Sequence, residues 1–264
     1  MKHAARTPLR MLAGAVACLG VLLFLLPLAG LVARAPWAQL AGLVGSPALH
    51  DAVRLSLVSS LGALAVAVSL GLPLAVWLAA GNSALRTAVR IVVLLPIVLP
   101  PVVAGIALLL AFGRNGLLGP WLEQALGITI PFTTAATVVA AAYMGMPFFV
   151  LSAEAGLRSF DRRHLEVAAT LGAGPLRRFV TVTVPMTLPS LGAGALLCWA
   201  RALGEYCATQ MFAGNLEGTT RTMPLACGIA METDPDLAIA LGLVLTSVSV
   251  VVLFLLRNGL VVRR

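Results

Sequence analysis

Arg201 and Glu205 stand four positions apart at the end of the charge-free run 179–200. On a helix that spacing puts both on one face, where they can pair. An ionisable group at membrane depth is also a candidate for the route of a polar solute. Two readings follow: a structural ion pair that sets the rotation of its helix, or a pathway lining that includes Thr209 one turn further on. Hydroxyls and backbone N–H groups suit an anion in transit, because they bind it without the trapping power of a ring of fixed cations. Thr219, Thr220, Arg221 and Thr222 are further donors of that kind.

A second constellation lies at 163–175, which reads R-H-L-E-V-A-A-T-L-G-A-G-P. Charged and apolar residues alternate with helical period through Leu171. Gly172 then falls where a left-handed C′ cap belongs, and Pro175 where a new helix begins. The expected form is a short surface helix, a tight turn and a second helix. Such an element serves as a docking knob for a partner, or lies on lipid as an interfacial helix.

Several chemistries lack their residues. A phosphate-cradling nucleotide loop needs a lysine in G-x-x-x-x-G-K-[ST], and Lys2 is the only lysine. Any ATP used must therefore be hydrolysed by another chain. His3, His50 and His164 fall outside the apolar runs, and no H-E-x-x-H occurs, so no metal centre is expected. Cys18, Cys198, Cys207 and Cys227 form no CxxC pair. An enzyme is not expected.

These residues must be positioned by elements that live in lipid. Apolar residues make up 60% of the 264, charged residues 11%, and the mean hydropathy is +1.01, outside the range of soluble domains. Charge-free windows at 11–33, 55–85, 91–113, 124–153, 179–200 and 237–256 each approach or exceed the roughly 20 residues a spanning helix requires. The fold class expected is all-α, with six transmembrane helices. Prolines 73, 96, 100, 101 and 147 predict kinks within them. With both termini cytoplasmic, thirteen of the 18 basic residues fall inside and four outside, Arg201 being within a span. The net charge of +8 thus reads as a topology signal and not as a nucleic-acid footprint.

Within this frame the 163–185 segment resembles the cytoplasmic signature of ABC importer permeases, E-A-A-x3-G-x9-I-x-L-P. Here it is Glu166-Val167-Ala168, three residues including Ala169 and Leu171, Gly172, nine residues, then Val182-Thr183-Val184-Pro185. Valines replace the first alanine, the isoleucine and the leucine. The stretches L-P-I-V-L-P-P-V-V at 95–103, F-G-R-N-G-L-L-G at 112–119, R-A-L-G-E-Y at 201–206 and A-G-N-L at 213–216 are similar to the molybdate and sulfate group, and T-R-T-M-P at 220–224 favours molybdate permeases.

The resemblance implies a type I ABC importer permease fold. It divides the chain into a tail, first helix and outer loop at 1–50, a permease core domain at 51–257 and a cytoplasmic tail at 258–264. It implies a multi-pass inner-membrane subunit that carries molybdate inward and acts with a second copy of itself. Two ATP-binding subunits holding ATP and magnesium, and an extracytoplasmic oxyanion-binding protein, complete the complex; this chain itself has no cofactor. The segment Glu166, Val167, Ala168, Ala169, Leu171, Gly172 and Pro185 would dock the ATPase. The alternatives are a sulfate or tungstate permease, and, from another class, an ATP-independent channel or secondary carrier.

Overall fold

The structure, a computed structural model, describes residues 6–161 and 163–261. The chain enters through α1 (Arg6–Ala33) and a short α2 (Trp37–Val44), then runs the length of α3 (Pro47–Ala79). Two shorter apolar helices follow, α4 (Ala84–Val98) and α5 (Pro101–Phe112), then a surface helix α6 (Gly119–Leu126) and the long α7 (Thr134–Ser159). Next come α8 (Arg163–Thr170), the single turn α9 (Pro175–Arg178), a π-helical turn at Phe179–Thr183 and α10 (Val184–Leu203). Two short helices, α11 (Cys207–Ala213) and α12 (Met223–Thr233), lead to α13 (Pro235–Val261). No strand occurs among the described residues.

The starts of these helices are written in single residues. Ser46, Ser83 and Thr133 each turn a side-chain oxygen onto an otherwise orphaned N–H of the first turn, at 3.3 Å in every case. Pro47, Pro101 and Pro175 open helices at the position where a missing N–H costs nothing.

Helices α3, α7 and α10 form the centre of the molecule, with α7 the most enclosed. Without a hydrophobic drive between helices in lipid, close backbone approach through small residues provides the packing. Ala67 and Ala75 of α3 and Ala153 of α7 are fully buried around Phe149 and Val150. At Gly145 an added Cβ would lie 2.8 Å from the Cys198 carbonyl oxygen, so α7 and α10 touch there only because the residue is glycine. In contrast, α1 has no buried residue in its apolar window and meets the rest of the chain through α13.

The expected all-helical membrane fold is present, while the count of six spans is not confirmed. Four helices are long and apolar enough to cross: Arg10–Ala33, Pro47–Ala79, Thr134–Ser159 and the continuous rod Pro175–Leu203. The third expected span is not one helix. It breaks at Leu99-Pro100 and turns by 119° between α4 and α5, forming a broken span or a re-entrant loop and giving five crossings at most by this measure. The cause is the proline pair: Pro100 and Pro101 remove two successive N–H groups, and Leu99 before them is forced to extended backbone (φ −65°, ψ 135°). The sixth expected span falls on α13, which is apolar over Pro235–Val251 among the described residues.

Candidate functional site

Three long apolar rods, α3, α7 and Pro175–Leu203, end together, and α8 with its turn hangs from that end. Eight residues are too few to hold a helix alone; α8 is kept in shape by contacts with α9 and the π turn. Its C-terminus is closed as the sequence predicts. Gly172 takes φ +79°, its N–H donates to the Ala169 carbonyl at 2.9 Å, and the Ala173 N–H donates to the Ala168 carbonyl at 3.0 Å. That is a Schellman pair of hydrogen bonds, which only a left-handed residue at the cap can form cheaply.

Beyond this turn the signature residues divide between two environments. Val167 is 61% and Leu171 81% exposed, and both border a shallow cavity with Ala168, His164 and Val182. Glu166 and Ala169 are exposed beside them, and Ala168 is half-buried. Pro185 lies exposed in the first turn of α10, past the π turn. Two large aliphatic side chains, one on a charged eight-residue helix and one in the turn that ends it, are a surface shaped to be covered. The connector before α8 is shorter than the apolar window closing at residue 153 implies, because α7 continues to Ser159.

At the opposite end of α10 the structure brings Arg201 and Glu205 into an ion pair, Nη1 to Oε2 at 2.5 Å. They do not share a helical face as expected. Helix α10 stops at Leu203, and Glu205 lies in the turn Gly204-Glu205-Tyr206. Its other oxygen, Oε1, accepts the Ala208 N–H at 2.8 Å, so this buried carboxylate ties the end of α10 to the start of α11. Thr209 is buried inside α11. That helix packs against α5 through Ala104, Leu108, Ala208 and Phe212, with the Phe112 and Phe212 rings 6.2 Å apart.

The loop after α11 is tied to itself. Arg221 donates from Nε to Asn215 Oδ1 and from Nη1 to Glu217 Oε2, both at 3.0 Å, and Thr220 Oγ1 accepts the Leu216 N–H at 2.8 Å. The Thr219 carbonyl accepts the Thr134 hydroxyl at 2.8 Å. Ser56 of α3 caps α12 by accepting the Met223 N–H at 2.7 Å. Of the candidate donors to an anion, Thr220 and Arg221 are thus engaged within the loop, while the buried Thr222 hydroxyl has no partner among the described residues.

One ionic cluster escaped the sequence. Glu154 of α7 is 5% exposed and accepts from Arg90 Nε and Nη2, the latter at 2.6 Å, and from Arg158 Nε at 2.9 Å. Arg158 Nη2 also donates to the Leu78 carbonyl at 3.2 Å and to Asn82 Oδ1 at 2.8 Å. The Glu154 cluster thereby fastens the ends of α3 and α7 to α4. The i, i+4 spacing of Glu154 and Arg158 was a visible signal, but a window closed at Ala153 placed both in a loop.

The Arg201–Glu205 geometry carries a prediction. In a double-mutant cycle on the purified protein, Arg201→Ala and Glu205→Ala should show a coupling of about 1–3 kcal/mol. Strictly additive losses would mean that the pair contributes nothing beyond its separate contacts.

Comparison with known proteins places these features in one group. Residues 71–264 match the family described as binding-protein-dependent transport system inner membrane component. The molybdenum transport system permease protein ModB of Mycobacterium bovis is 42% identical over 233 residues, 88% of each chain. ModB of Escherichia coli K12 is 39% identical over 156 residues, 59% of this chain and 68% of the relative. A bacterial ABC transporter for the import of the acidic polysaccharide alginate shares the fold, with a TM-score of 0.77 at 16% identity, covering 100% of this chain and 99% of that one. The MetNI methionine ABC transporter matches with a TM-score of 0.57 at 16% identity over 80% of this chain and 92% of its own. With its long apolar helices and the family match over most of its length, this chain is a multi-pass membrane protein that belongs to the family of binding-protein-dependent transport system inner membrane components.

Proposed function

We propose that this chain is the permease subunit of an ABC importer that carries molybdate into the cytoplasm. The observation that carries the substrate is the 42% identity to a molybdenum permease across 88% of both chains. The exposed Val167 on a capped, rod-mounted α8 and Leu171 in the turn that ends it support the coupling role.

In this reading two copies of the chain surround the pathway, and two ATPase subunits each receive one α8. The ATPase closes on ATP, and the resulting push on α8 passes through α9 and the π turn into α10. The rod Pro175–Leu203 has 29 residues, about 43 Å at helical rise, so it reaches across the bilayer to the Arg201–Glu205 clamp. A rigid rod fastened at both ends turns a displacement of α8 into movement at the far side, which is the mechanical content of alternating access. ATP hydrolysis belongs to the partner subunits, and an extracytoplasmic binding protein delivers the oxyanion to the other face. Both termini lie in the cytoplasm.

The orientation is tested separately. With the four native cysteines replaced, a cysteine at exposed Thr219 should react with an impermeant thiol reagent added to intact cells, and one at exposed His164 should not. The reverse pattern would invert the assignment. For the substrate, cells lacking their own molybdate permease should recover growth on limiting molybdate when this chain is expressed with its ATPase and binding protein. Recovery on limiting sulfate alone would favour the sulfate reading.

A further inference from the structure

The ends of α3 and α7, together with α8, α9 and the π turn, enclose an open-sided cavity of about 370 Å³. Its walls are mostly apolar: Val76 and Ala79 from α3, Leu157 and Phe160 from the end of α7, Leu165 from α8 and Phe179 from the π turn, with Thr183 of that turn beside them. One charged side chain faces it, Arg178. The Arg178 Nε is buried without a hydrogen-bond partner, and no acidic side chain among the described residues lies within 4.0 Å of its guanidinium. Neither Asp161 nor Glu166 lines the cavity. Arg178 as a whole is half-buried, and the buried Nε–H of a cation left without an acceptor costs free energy that an anion would restore.

The position of the cavity fixes the kind of anion. It sits where three long apolar rods stop and the polar α8 begins, which is headgroup depth in a bilayer. Basic pockets between spanning helices on the cytoplasmic side recognise anionic headgroups. A soluble phosphate would satisfy Arg178 and leave the six apolar walls wet. A phospholipid satisfies both, with its phosphate on Arg178 and the start of an acyl chain along Leu157, Phe160 and Phe179.

We propose that this cavity is a binding site for one anionic phospholipid of the cytoplasmic leaflet, held by Arg178 and wedged between the spanning helices and α8. The leaflet assignment rests on the orientation given above; the binding itself does not rest on molybdate transport. Because Leu165 of α8 and Phe179 of the π turn both form its walls, an occupied site braces the coupling segment against the helix ends.

The test is direct binding to the full purified chain, by native mass spectrometry with dioleoylphosphatidylglycerol against dioleoylphosphatidylcholine. The wild type should retain one phosphatidylglycerol with roughly five- to tenfold preference, the scale of one cation at a membrane surface. Arg178→Gln should abolish the preference and Arg178→Lys should keep most of it. Ala79→Phe, which fills the cavity from its wall, should reduce binding of the lipid while leaving Arg178 in place, and Arg10→Gln should change nothing. Equal retention of both lipids by the wild type overturns the site, as does displacement by millimolar inorganic phosphate, which would mark a free-anion site. A cysteine at Phe160 that cross-links to the ATPase subunit in the assembled complex would assign the cavity to that partner instead. Since no step uses ATP or molybdate, failure here leaves the transport reading standing, and failure of transport leaves the lipid result standing.

Discussion

Gly172→Val should insert and assemble its spanning helices normally yet lose most ATPase stimulation by loaded binding protein. The backbone at this position has φ +79°, and a β-branched residue there costs roughly 1–3 kcal/mol. Steric contact is not the cause, since an added Cβ would meet nothing within 4 Å. What fails is the cap: without the left-handed residue, the Gly172 and Ala173 N–H groups cannot both reach the Ala169 and Ala168 carbonyls, and α8 frays. Gly172→Asn provides the control, because asparagine tolerates the left-handed region; it should keep most of the stimulation. Wild-type coupling in the valine variant, with α8 shown to be altered, would detach the signature segment from the ATPase.

The second large effect is expected at Glu154. Removing it by Glu154→Ala leaves Arg90 and Arg158 clustered without their carboxylate, and loss of one member of a buried ion cluster costs roughly 3 kcal/mol or more. In a protein of this length that amounts to a drop of about 6–12 °C in Tm. The exposure of the Arg158 side chain, 36%, moderates the penalty because water takes over part of its solvation. The double variant Arg90→Met with Glu154→Leu should be more stable than Glu154→Leu alone, since it removes a stranded charge together with its partner. If Glu154→Ala melts with the wild type, the cluster does not fasten α3, α4 and α7.

What the sequence disclosed and what it hid follow from how local each cause is. Apolar windows located the long helices because crossing lipid demands an unbroken run of apolar residues and internally paired backbone. Gly172 and Pro175 were legible since a cap and a helix start depend on neighbours within a few residues. Glu154 was hidden because its ionised state inside α7 is made tolerable by Arg90, 64 residues away. Glu205 was placed on α10 by spacing alone; the stop at Gly204 and the bond to Ala208 move it into the turn while keeping it in reach of Arg201. The sequence signalled kinks at its prolines, but not that Pro100 and Pro101 together would swing the chain by 119°.

The π turn at Phe179–Thr183 has a similarly local cause that is apparent only with the backbone in view. Pro185 has no N–H, and its ring presses on the carbonyl four residues earlier, that of Thr181. Widening the preceding turn, with the Val184 N–H donating to Phe179 O, five residues back, relieves that pressure. The proline ending the signature therefore shapes the joint through which α8 meets α10.

The central claim is ATP-driven molybdate import through this subunit, and uptake of radiolabelled molybdate into proteoliposomes tests it most directly. With this permease, its ATPase and loaded binding protein reconstituted together, label should accumulate only when ATP and magnesium reach the ATPase, and a tenfold excess of sulfate should leave most of the uptake intact. Accumulation without ATP or without the ATPase subunit, or uptake abolished by that sulfate, would contradict the account.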